Sequence, residues 1–303
     1  MTIKVILFII KQGGEIMRKI AIVTDSSVSF DEEQLKETGT TTVPLTIIHD
    51  GSEYLDEITI TKEEVNDLLR DNAVLTTSQP NLGLMIEAFE KIKEEKYDHV
   101  FVVPITHHLS GTHRTFLQAL EEVQLDNVTI FESETLIGVI QHAIFLIKKL
   151  NDEGKSIEEI EASVNDLFKR NESYVIPETL KQLKASGRIS KGAATMASLL
   201  KIKPILKLEN GGTTIEKFAT ARTDAKAYAI IIEDMIKHGV TPETHELYYA
   251  HSEGLHTVEK FHKAVKESIG DIDYSVSVLP AVLATHAGLG TVAIQYVPKL
   301  DLL

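Results

Sequence analysis

The segment RKIAIVTDSS, residues 18–27, joins an apolar run directly to a polar turn. Its apolar part, residues 20–24, is short and rich in β-branched side chains, a pattern typical of a strand. Asp25 and Ser26 follow this run at once. Because ligands of open parallel sheets bind beside the carboxyl ends of the strands, the segment predicts both a strand and a candidate binding loop.

The first half of the chain repeats this alternation. Apolar runs occur at residues 20–24, 42–48, 99–105 and 127–132, and helical patterns occur at residues 31–37, 61–71, 81–95, 112–123 and 135–153. Strands that alternate with helices of this length predict an α/β fold with a mostly parallel open sheet and helices on both faces. Residues 44–60, with a turn at Asp50-Gly51, predict a small two-stranded hairpin.

From about residue 174 the pattern changes to that of an α+β unit. Helices are predicted at residues 180–186, 191–200, 223–238 and 255–268, and strands at residues 203–208, 214–219, 246–251, 274–279 and 291–296. At roughly 100–200 residues per domain, a chain of this length is expected to form two domains. We place the N-terminal α/β domain at residues 17–172 and the C-terminal α+β domain at residues 173–303.

The composition excludes several classes of function. The chain has 31 Lys and Arg residues against 45 Asp and Glu residues, a formal charge of −14, and no Cys. The acidic balance argues against binding to nucleic acid or to anionic membranes. The lack of Cys excludes disulfides, thiolate metal sites and Cys nucleophiles. A protein of this charge should also repel anionic small molecules, unless a local site reverses the field.

The N-terminal residues carry no clear targeting signal. Residues 1–10 are apolar but too few to span a bilayer, and no cleavage pattern of small residues follows. We interpret residues 1–16 as an N-terminal extension, with translation naturally starting at Met17; an additional edge strand at residues 3–10 is the alternative. We therefore expect a cytoplasmic protein without stable membrane insertion.

Three polar segments are candidates for binding an anion: Asp25-Ser26-Ser27, Thr77-Ser78-Gln79-Pro80 and Ser110-Gly111-Thr112. We expect all three at the carboxyl edge of one parallel sheet, and the last two also precede helices, whose N-termini favour anions. Helix capping is the alternative for each of them, because Ser, Thr and Asp are preferred N-caps.

Two segments of the second half add cationic or proton-binding groups. Arg188 follows Gly187, so its side chain can extend from an open turn, and His286 is predicted to lie in a glycine-rich loop before a strand. A helix-end cation and a loop hydrogen-bonding group are the alternatives. The pattern Gly288-x-Gly290-x-x-Ala293 is not a dinucleotide fingerprint, because it precedes a strand instead of opening a helix.

Residues 17–300 resemble the DegV family of bacterial fatty-acid-binding proteins. The resemblance rests on motifs in the family's order: Asp25-Ser26-Ser27, Val43-Pro44-Leu45, Thr77-Ser78-Gln79-Pro80, Leu109-Ser110-Gly111-Thr112, Gly187-Arg188-Ile189-Ser190, Lys203-Pro204-Ile205-Leu206 and His286-x-Gly288-x-Gly290. Each motif is weak alone, whereas their joint order is specific.

The resemblance implies a long-chain fatty acid in a tunnel between the two domains. Thr77 and Ser110 would bind its carboxyl group, with Arg188 and His286 nearby. The supporting loop residues would be Asp25, Ser26, Ser78, Gly111, Thr112 and Gly288. The resemblance further implies that the protein is not itself an enzyme and has no cofactor. It would present the fatty acid to a separate ATP-dependent kinase subunit, which forms the acyl phosphate for phospholipid synthesis.

An acyl tail needs apolar walls, since burial of each CH₂ contributes about 0.8 kcal/mol. The candidate wall residues are Leu136, Ile137, Val139, Ile140, Ala143, Ile144 and Ile147 on one predicted helix and Met196, Leu199 and Leu200 on another. Core packing is the alternative for each of them.

Other classes of function stay open at this point. His107, His108 and His113 could hold a metal ion in a hydrolase, although no carboxylate stands at a recognisable ligand spacing. A serine esterase would need a base for Ser110 and a Gly-x-Ser-x-Gly elbow, which the chain lacks. A regulatory protein that binds only another protein would carry no lipid.

Overall fold

The computed structural model describes residues 18–196, 202–209 and 212–303. The expected extension at residues 1–16, the proposed start at Met17, and the wall candidates Leu199 and Leu200 lie outside the described residues. The described part of the predicted helix at residues 191–200 is α8, Lys191–Thr195.

The first sheet has four parallel strands in the order β2-β1-β6-β7. The strands are β1 (Ile20–Asp25), β2 (Thr40–Val43), β6 (His99–Val103) and β7 (Val128–Ile130). The predicted parallel sheet is therefore confirmed. Its central strands β1 and β6 are buried on both faces, which explains why they are continuous apolar runs in the sequence.

Side chains of the central strands alternate between two cores. Ala21 and Val23 pack with α3 (Leu82–Glu94) and α4 (Thr112–Val123). Ile22 points to the opposite face, where α5 (Gly138–Asp152) and α6 (Ile157–Lys169) pack. This alternation places helices on both faces, as predicted. The remaining helices of this half are α1 (Glu32–Thr38) and α2 (Lys62–Arg70).

A second, antiparallel sheet has three strands in the order β4-β3-β5. The hairpin of β3 (Thr46–His49) and β4 (Ser52–Leu55) confirms the predicted one. The third strand, β5 (Leu75–Ser78), was not predicted, because LTTS is short and polar. Thr77 and Ser78 lie on this strand, so the expectation that they lie at the edge of the parallel sheet is wrong.

The third sheet has six strands in the order β10-β9-β8-β13-β11-β12, all antiparallel neighbours except the pair β11 and β12. Its strands are β8 (Glu172–Ile176), β9 (Lys203–Glu209), β10 (Thr214–Ala221), β11 (His245–His251), β12 (Tyr274–Val278) and β13 (Val292–Pro298). One face packs on α9 (Asp224–Lys237) and α10 (Leu255–Ser268). The other face covers α5 and contributes to a cavity.

Several elements of this region differ from the sequence analysis. The strand β8 and the helices α6 and α11 (Ala281–Ala287) were not predicted, whereas α7 (Lys181–Ser186) was. The seven-residue α11 begins after Pro280 within an apolar run that is too short for a helical period to be recognised. It packs on α2, α7 and β5, and thus connects the second half of the chain to the three-stranded sheet.

The helix α5 is buried between the parallel sheet and the six-stranded sheet. At its first residue, Gly138, the Tyr248 side chain of β11 lies so close that an added Cβ would overlap it. The Gly138 amide donates to Gln295 Oε1 of β13 at 2.9 Å. A glycine at the start of α5 therefore allows close packing of the two halves of the chain.

Candidate functional site

A cavity of about 270 Å³ lies between the six-stranded sheet, the three-stranded sheet and α11. Its wall is mostly aliphatic: Leu45, Ile105, Leu109, Leu136, Ile137, Val175, Leu183, Leu208, Ile215, Leu279, Val282 and Leu283 line it. The volume is close to the lower end of the range for ligand pockets, roughly 300–1,000 Å³. An apolar wall with a few converging polar groups is typical of a site for a small organic ligand.

The four residues predicted to bind a carboxyl group, Thr77, Ser110, Arg188 and His286, all line this cavity. Ser78 and Gly111, two of the predicted supporting residues, line it too. They come from β5, the loop before α4, the loop after α7, and α11. The structure therefore brings together side chains from four separate segments.

Thr77 and His286 contact each other directly. Thr77 Oγ1 and His286 Nε2 share a hydrogen bond of 2.6 Å. His286 lies on the last turn of α11, so its predicted position in a loop before a strand is wrong. The helix ends at Ala287, and its C-cap is Gly288, whose φ of +83° and close approach to Gln182 favour glycine. Gly288 thus supports His286 from outside the cavity wall.

Burial, and to a smaller extent the nearby Arg188 guanidinium, lower the pKa of the His286 imidazole to about 4. His286 is therefore neutral at pH 7, with one ring nitrogen as a donor and the other as an acceptor. A negative charge placed beside the ring would raise this pKa again.

Arg188 supplies a positive charge beside the cavity. It follows Gly187, whose φ of +71° ends α7 in the left-handed conformation that glycine adopts readily. The guanidinium donates to the carbonyl oxygens of Ser186 at 2.6 Å and Leu109 at 3.5 Å. Within the described part of the chain, Arg188 forms no ion pair. No Asp or Glu of the described chain lines the cavity. Its charge is thus available to a bound anion.

Ser110 is held by its neighbours at the start of α4. Its Oγ shares a hydrogen bond of 2.7 Å with Thr112 Oγ1, and Thr112 itself is buried outside the cavity wall. The helix begins at Thr112, whose amide donates to Ser110 Oγ at 3.4 Å, and its N-cap residue Gly111 has no side chain to cap it. Gln79 packs so closely on Gly111 that an added Cβ would overlap its amide.

Asp25 and Ser26 do not line the cavity; they position residues that do. The buried Asp25 carboxylate accepts from the amides of Ser27 at 3.0 Å and Ile105 at 2.8 Å, and burial raises its pKa. Ser26 Oγ donates to Asp56 Oδ2 at 2.6 Å and accepts from the Leu45 amide at 3.1 Å. Asp25 and Ser26 thus hold Ile105 and Leu45 of the cavity wall in place from behind.

The predicted apolar wall is largely wrong. Of the candidates that the structure describes, Leu136 and Ile137 alone line the cavity. Five others, Val139, Ile140, Ala143, Ile144 and Ile147, belong to the core between the parallel sheet and α6, and Met196 packs under α7 and β10. Much of the observed wall instead comes from β8, α11 and β13. The apolar run at residues 281–284 was the sequence signal that could have indicated α11.

The three histidines of the predicted metal site do not form one. The ring centroids of His107 and His108 are 3.7 Å apart, and those of His107 and His113 are 5.9 Å apart. Across residues 18–196, 202–209 and 212–303, no three His, Asp or Glu side chains are arranged to hold a metal ion. The metal-dependent hydrolase is therefore not supported.

Of the helices in the described ranges, none combines the length and the apolar character needed to cross a bilayer.

The fold and the site define a class of proteins. In this chain a four-stranded parallel sheet and a six-stranded mixed sheet accompany an apolar cavity whose wall carries a cluster of polar groups. The family model described as "Uncharacterised protein, DegV family" matches residues 19–299. The chain belongs to the DegV family.

Known relatives cover almost the whole chain. A DegV domain-containing protein of Staphylococcus aureus is 30% identical over 287 residues, which are 93% of this chain and 100% of that protein. A solved structure described as fatty acid binding of a DegV family protein from Thermus thermophilus has a TM-score of 0.85 and 28% identity, with 93% of this chain and 100% of that chain covered. A fatty acid binding DegV family protein from Streptococcus agalactiae has a TM-score of 0.82 and 25% identity, with 93% and 99% covered.

Proposed function

We propose that this protein binds a long-chain fatty acid in the cavity and does not itself catalyse a reaction. The observation that carries the proposal is the combination of an aliphatic wall with Arg188, a cation without an acidic partner among the described residues. The two DegV structures named above are described as binding fatty acids, which is consistent with this chemistry.

The acyl tail would supply most of the affinity. At about 0.8 kcal/mol per buried CH₂, a tail of ~14 methylenes contributes on the order of 11 kcal/mol before the loss of translational and conformational freedom. A long apolar tail therefore does not need long-range electrostatic attraction, and the net charge of −14 is compatible with an anionic ligand.

The polar groups would keep the carboxylate from being buried without partners. In the proposed complex, Ser110 and Thr77 donate hydroxyl hydrogens, and Arg188 supplies the opposite charge. His286 Nε2 shares a hydrogen bond with Thr77, so the imidazole orients this hydroxyl and can itself take up a proton when the carboxylate arrives.

We further propose that the bound carboxyl group is presented to a separate ATP-dependent kinase subunit, which converts it to an acyl phosphate. The carboxyl-binding groups lie beside a second, open and polar depression lined by His107, His108, Arg114 and Thr213. Ser110 and Arg188 line both the cavity and this depression. A carboxyl group at this boundary would be reachable from outside while the tail stays buried.

Organic extraction of the gently purified protein, followed by mass spectrometry, tests the first proposal. We expect a stoichiometric fatty acid. Leu283→Trp, which fills part of the cavity, should reduce the recovered lipid, whereas the matched Leu117→Trp on the exposed face of α4 should not. A wild-type extract without lipid, combined with no binding of added palmitate or oleate, would contradict fatty acid binding.

The kinase proposal needs its own test. Protein loaded with labelled palmitate is incubated with ATP and the purified kinase subunit, and hydroxylamine then traps any acyl phosphate as the hydroxamate. We expect hydroxamate only when ATP and kinase are both present. Its absence from a preparation that retains palmitate would remove the kinase step and leave lipid binding intact.

A further inference from the structure

The cavity wall includes a polar pair away from the carboxyl-binding groups, Ser173 on β8 and Gln295 on β13. The two residues are direct partners in the antiparallel register. Only 5% of Ser173 and 2% of Gln295 is exposed. Buried polar groups need hydrogen-bond partners. A polar pair buried this deeply in a mostly aliphatic wall therefore influences which ligands the cavity binds.

Every hydrogen-bonding direction of the Gln295 amide except one acceptor lone pair is used. Its Oε1 accepts from the Gly138 amide at 2.9 Å, which fixes the orientation of the side chain. Its Nε2 donates to the Leu136 carbonyl at 2.9 Å and to Ser173 Oγ at 2.7 Å. Ser173 Oγ is therefore an acceptor in this contact.

The Ser173 hydroxyl hydrogen is consequently directed away from Gln295. Among the described residues, Ser173 Oγ donates to no acceptor. A buried donor without an acceptor destabilises the protein. The wall of the cavity thus includes an O–H donor whose partner is not part of the described chain.

The distance of Ser173 from the carboxyl-binding groups follows from the strands. Thr291, Ala293 and Gln295 line the cavity as alternate residues, and Thr291 Oγ1 donates to the carbonyl of Ala287, next to His286. Gln295 is four residues beyond Thr291, which is about 14 Å along a strand. An extended acyl chain advances ~1.3 Å per C–C bond and covers this length in about eleven bonds.

We propose that the cavity selects fatty acids with an oxygen near the middle of the chain, in the form of hydroxy or oxo acids. The inference rests on the proposed fatty acid binding. Ser173 O–H donates to the mid-chain oxygen, while Gln295 holds the Ser173 oxygen in place. An unsubstituted chain leaves this donor without a partner and binds less tightly.

Binding of three acids tests the proposal: octadecanoic, 10-hydroxyoctadecanoic and 10-oxooctadecanoic acid. The oxo acid accepts hydrogen bonds at its mid-chain oxygen but cannot donate them, so it reports on Ser173 as a donor. We expect both substituted acids to bind the wild type about tenfold more tightly than octadecanoic acid, because one satisfied buried donor is worth about this factor.

Ser173→Ala should bring the three dissociation constants together while binding of octadecanoic acid persists, which also shows that the variant is folded. The matched variant Val175→Ala enlarges the same wall and should keep the tenfold ratio. Equal or weaker binding of the substituted acids by the wild type would overturn the inference. Equal binding is the result expected if the Ser173 hydroxyl instead points into the adjoining polar pocket, which is lined by Glu134 and Asn171. Failure of all three acids to bind would overturn the proposed function itself.

Discussion

Thr77 and His286, which are 209 residues apart in the chain, share a hydrogen bond of 2.6 Å between Oγ1 and Nε2. The contact joins β5 of the three-stranded sheet to the end of α11. It therefore connects the first half of the chain to the second at the cavity wall, and the ligand-binding groups depend on both halves being folded together.

Removal of the Thr77 hydroxyl should weaken fatty acid binding. Thr77→Val keeps the shape of the side chain but loses the hydrogen bond. We expect palmitate to bind less tightly by about 1–3 kcal/mol, as measured by calorimetry. Thr76→Val is the matched control, because Thr76 is the neighbouring residue of β5 and is exposed. Equal losses in both variants would contradict a direct role of Thr77.

Ser110→Ala should have an effect of similar size. The variant removes one carboxyl donor and leaves Thr112 Oγ1 without its Ser110 partner, so a loss of about 1–3 kcal/mol in palmitate binding is expected. Ser275→Ala on the exposed strand β12 should bind as the wild type does. Unchanged palmitate and oleate affinity in both Ser110→Ala and Thr77→Val would exclude this carboxyl site.

The charge of Arg188 should matter only for an ionised ligand. Arg188→Gln retains a polar side chain of similar reach, and we expect it to weaken palmitate binding by roughly tenfold or more, because a charge-assisted hydrogen bond is lost. Methyl palmitate, which has no charge, should bind the variant and the wild type alike. A parallel loss for both ligands would indicate damage to the fold and not a missing charge.

Stability should depend on pH through His286. Its pKa is about 4 in the folded protein and close to 6.5 when unfolded, so the unfolded chain binds more protons between these values. The contribution of His286 to the free energy of unfolding is therefore fully present above pH 6.5 and decreases as the pH falls toward 4. At pH 5 the decrease is about 2 kcal/mol. Urea unfolding at pH 7 and pH 5 should show this loss in the wild type and a smaller loss in His286→Asn. Identical losses would remove His286 as the cause.

The packing of α5 on the six-stranded sheet should be sensitive to one methyl group. Gly138→Ala forces a Cβ into the Tyr248 side chain, and we expect the free energy of unfolding to fall by about 1–3 kcal/mol. Gly192→Ala in α8 is the matched control, since its Cβ would make only an ordinary contact with Ser190 and alanine favours a helix. Thermal and urea unfolding of the two variants measures the difference. A Gly138→Ala variant as stable as the wild type would show that the Tyr248 ring can move aside.

Much of the secondary structure is determined locally. The apolar run of β1, the hairpin at Asp50-Gly51 and the amphipathic helices α3 and α4 follow from hydrophobic period and turn residues alone. The order of the short polar motifs also identifies the family. By contrast, β5 and α11 are too short for a period to show, and their structure comes from the neighbours on which they pack.

The sequence by itself determined which residue types are available for binding an anion: Thr77, Ser110, Arg188 and His286. Only the tertiary structure decided that Thr77 lies on a separate sheet, that Asp25 supports the wall from behind, and that Ile140 belongs to the core. The physical reason is that periodicity shows which face of an element is buried but not what it is buried against. An aliphatic side chain in a core and one on a cavity wall are equally removed from water, and they differ only in whether protein atoms fill the space beside them.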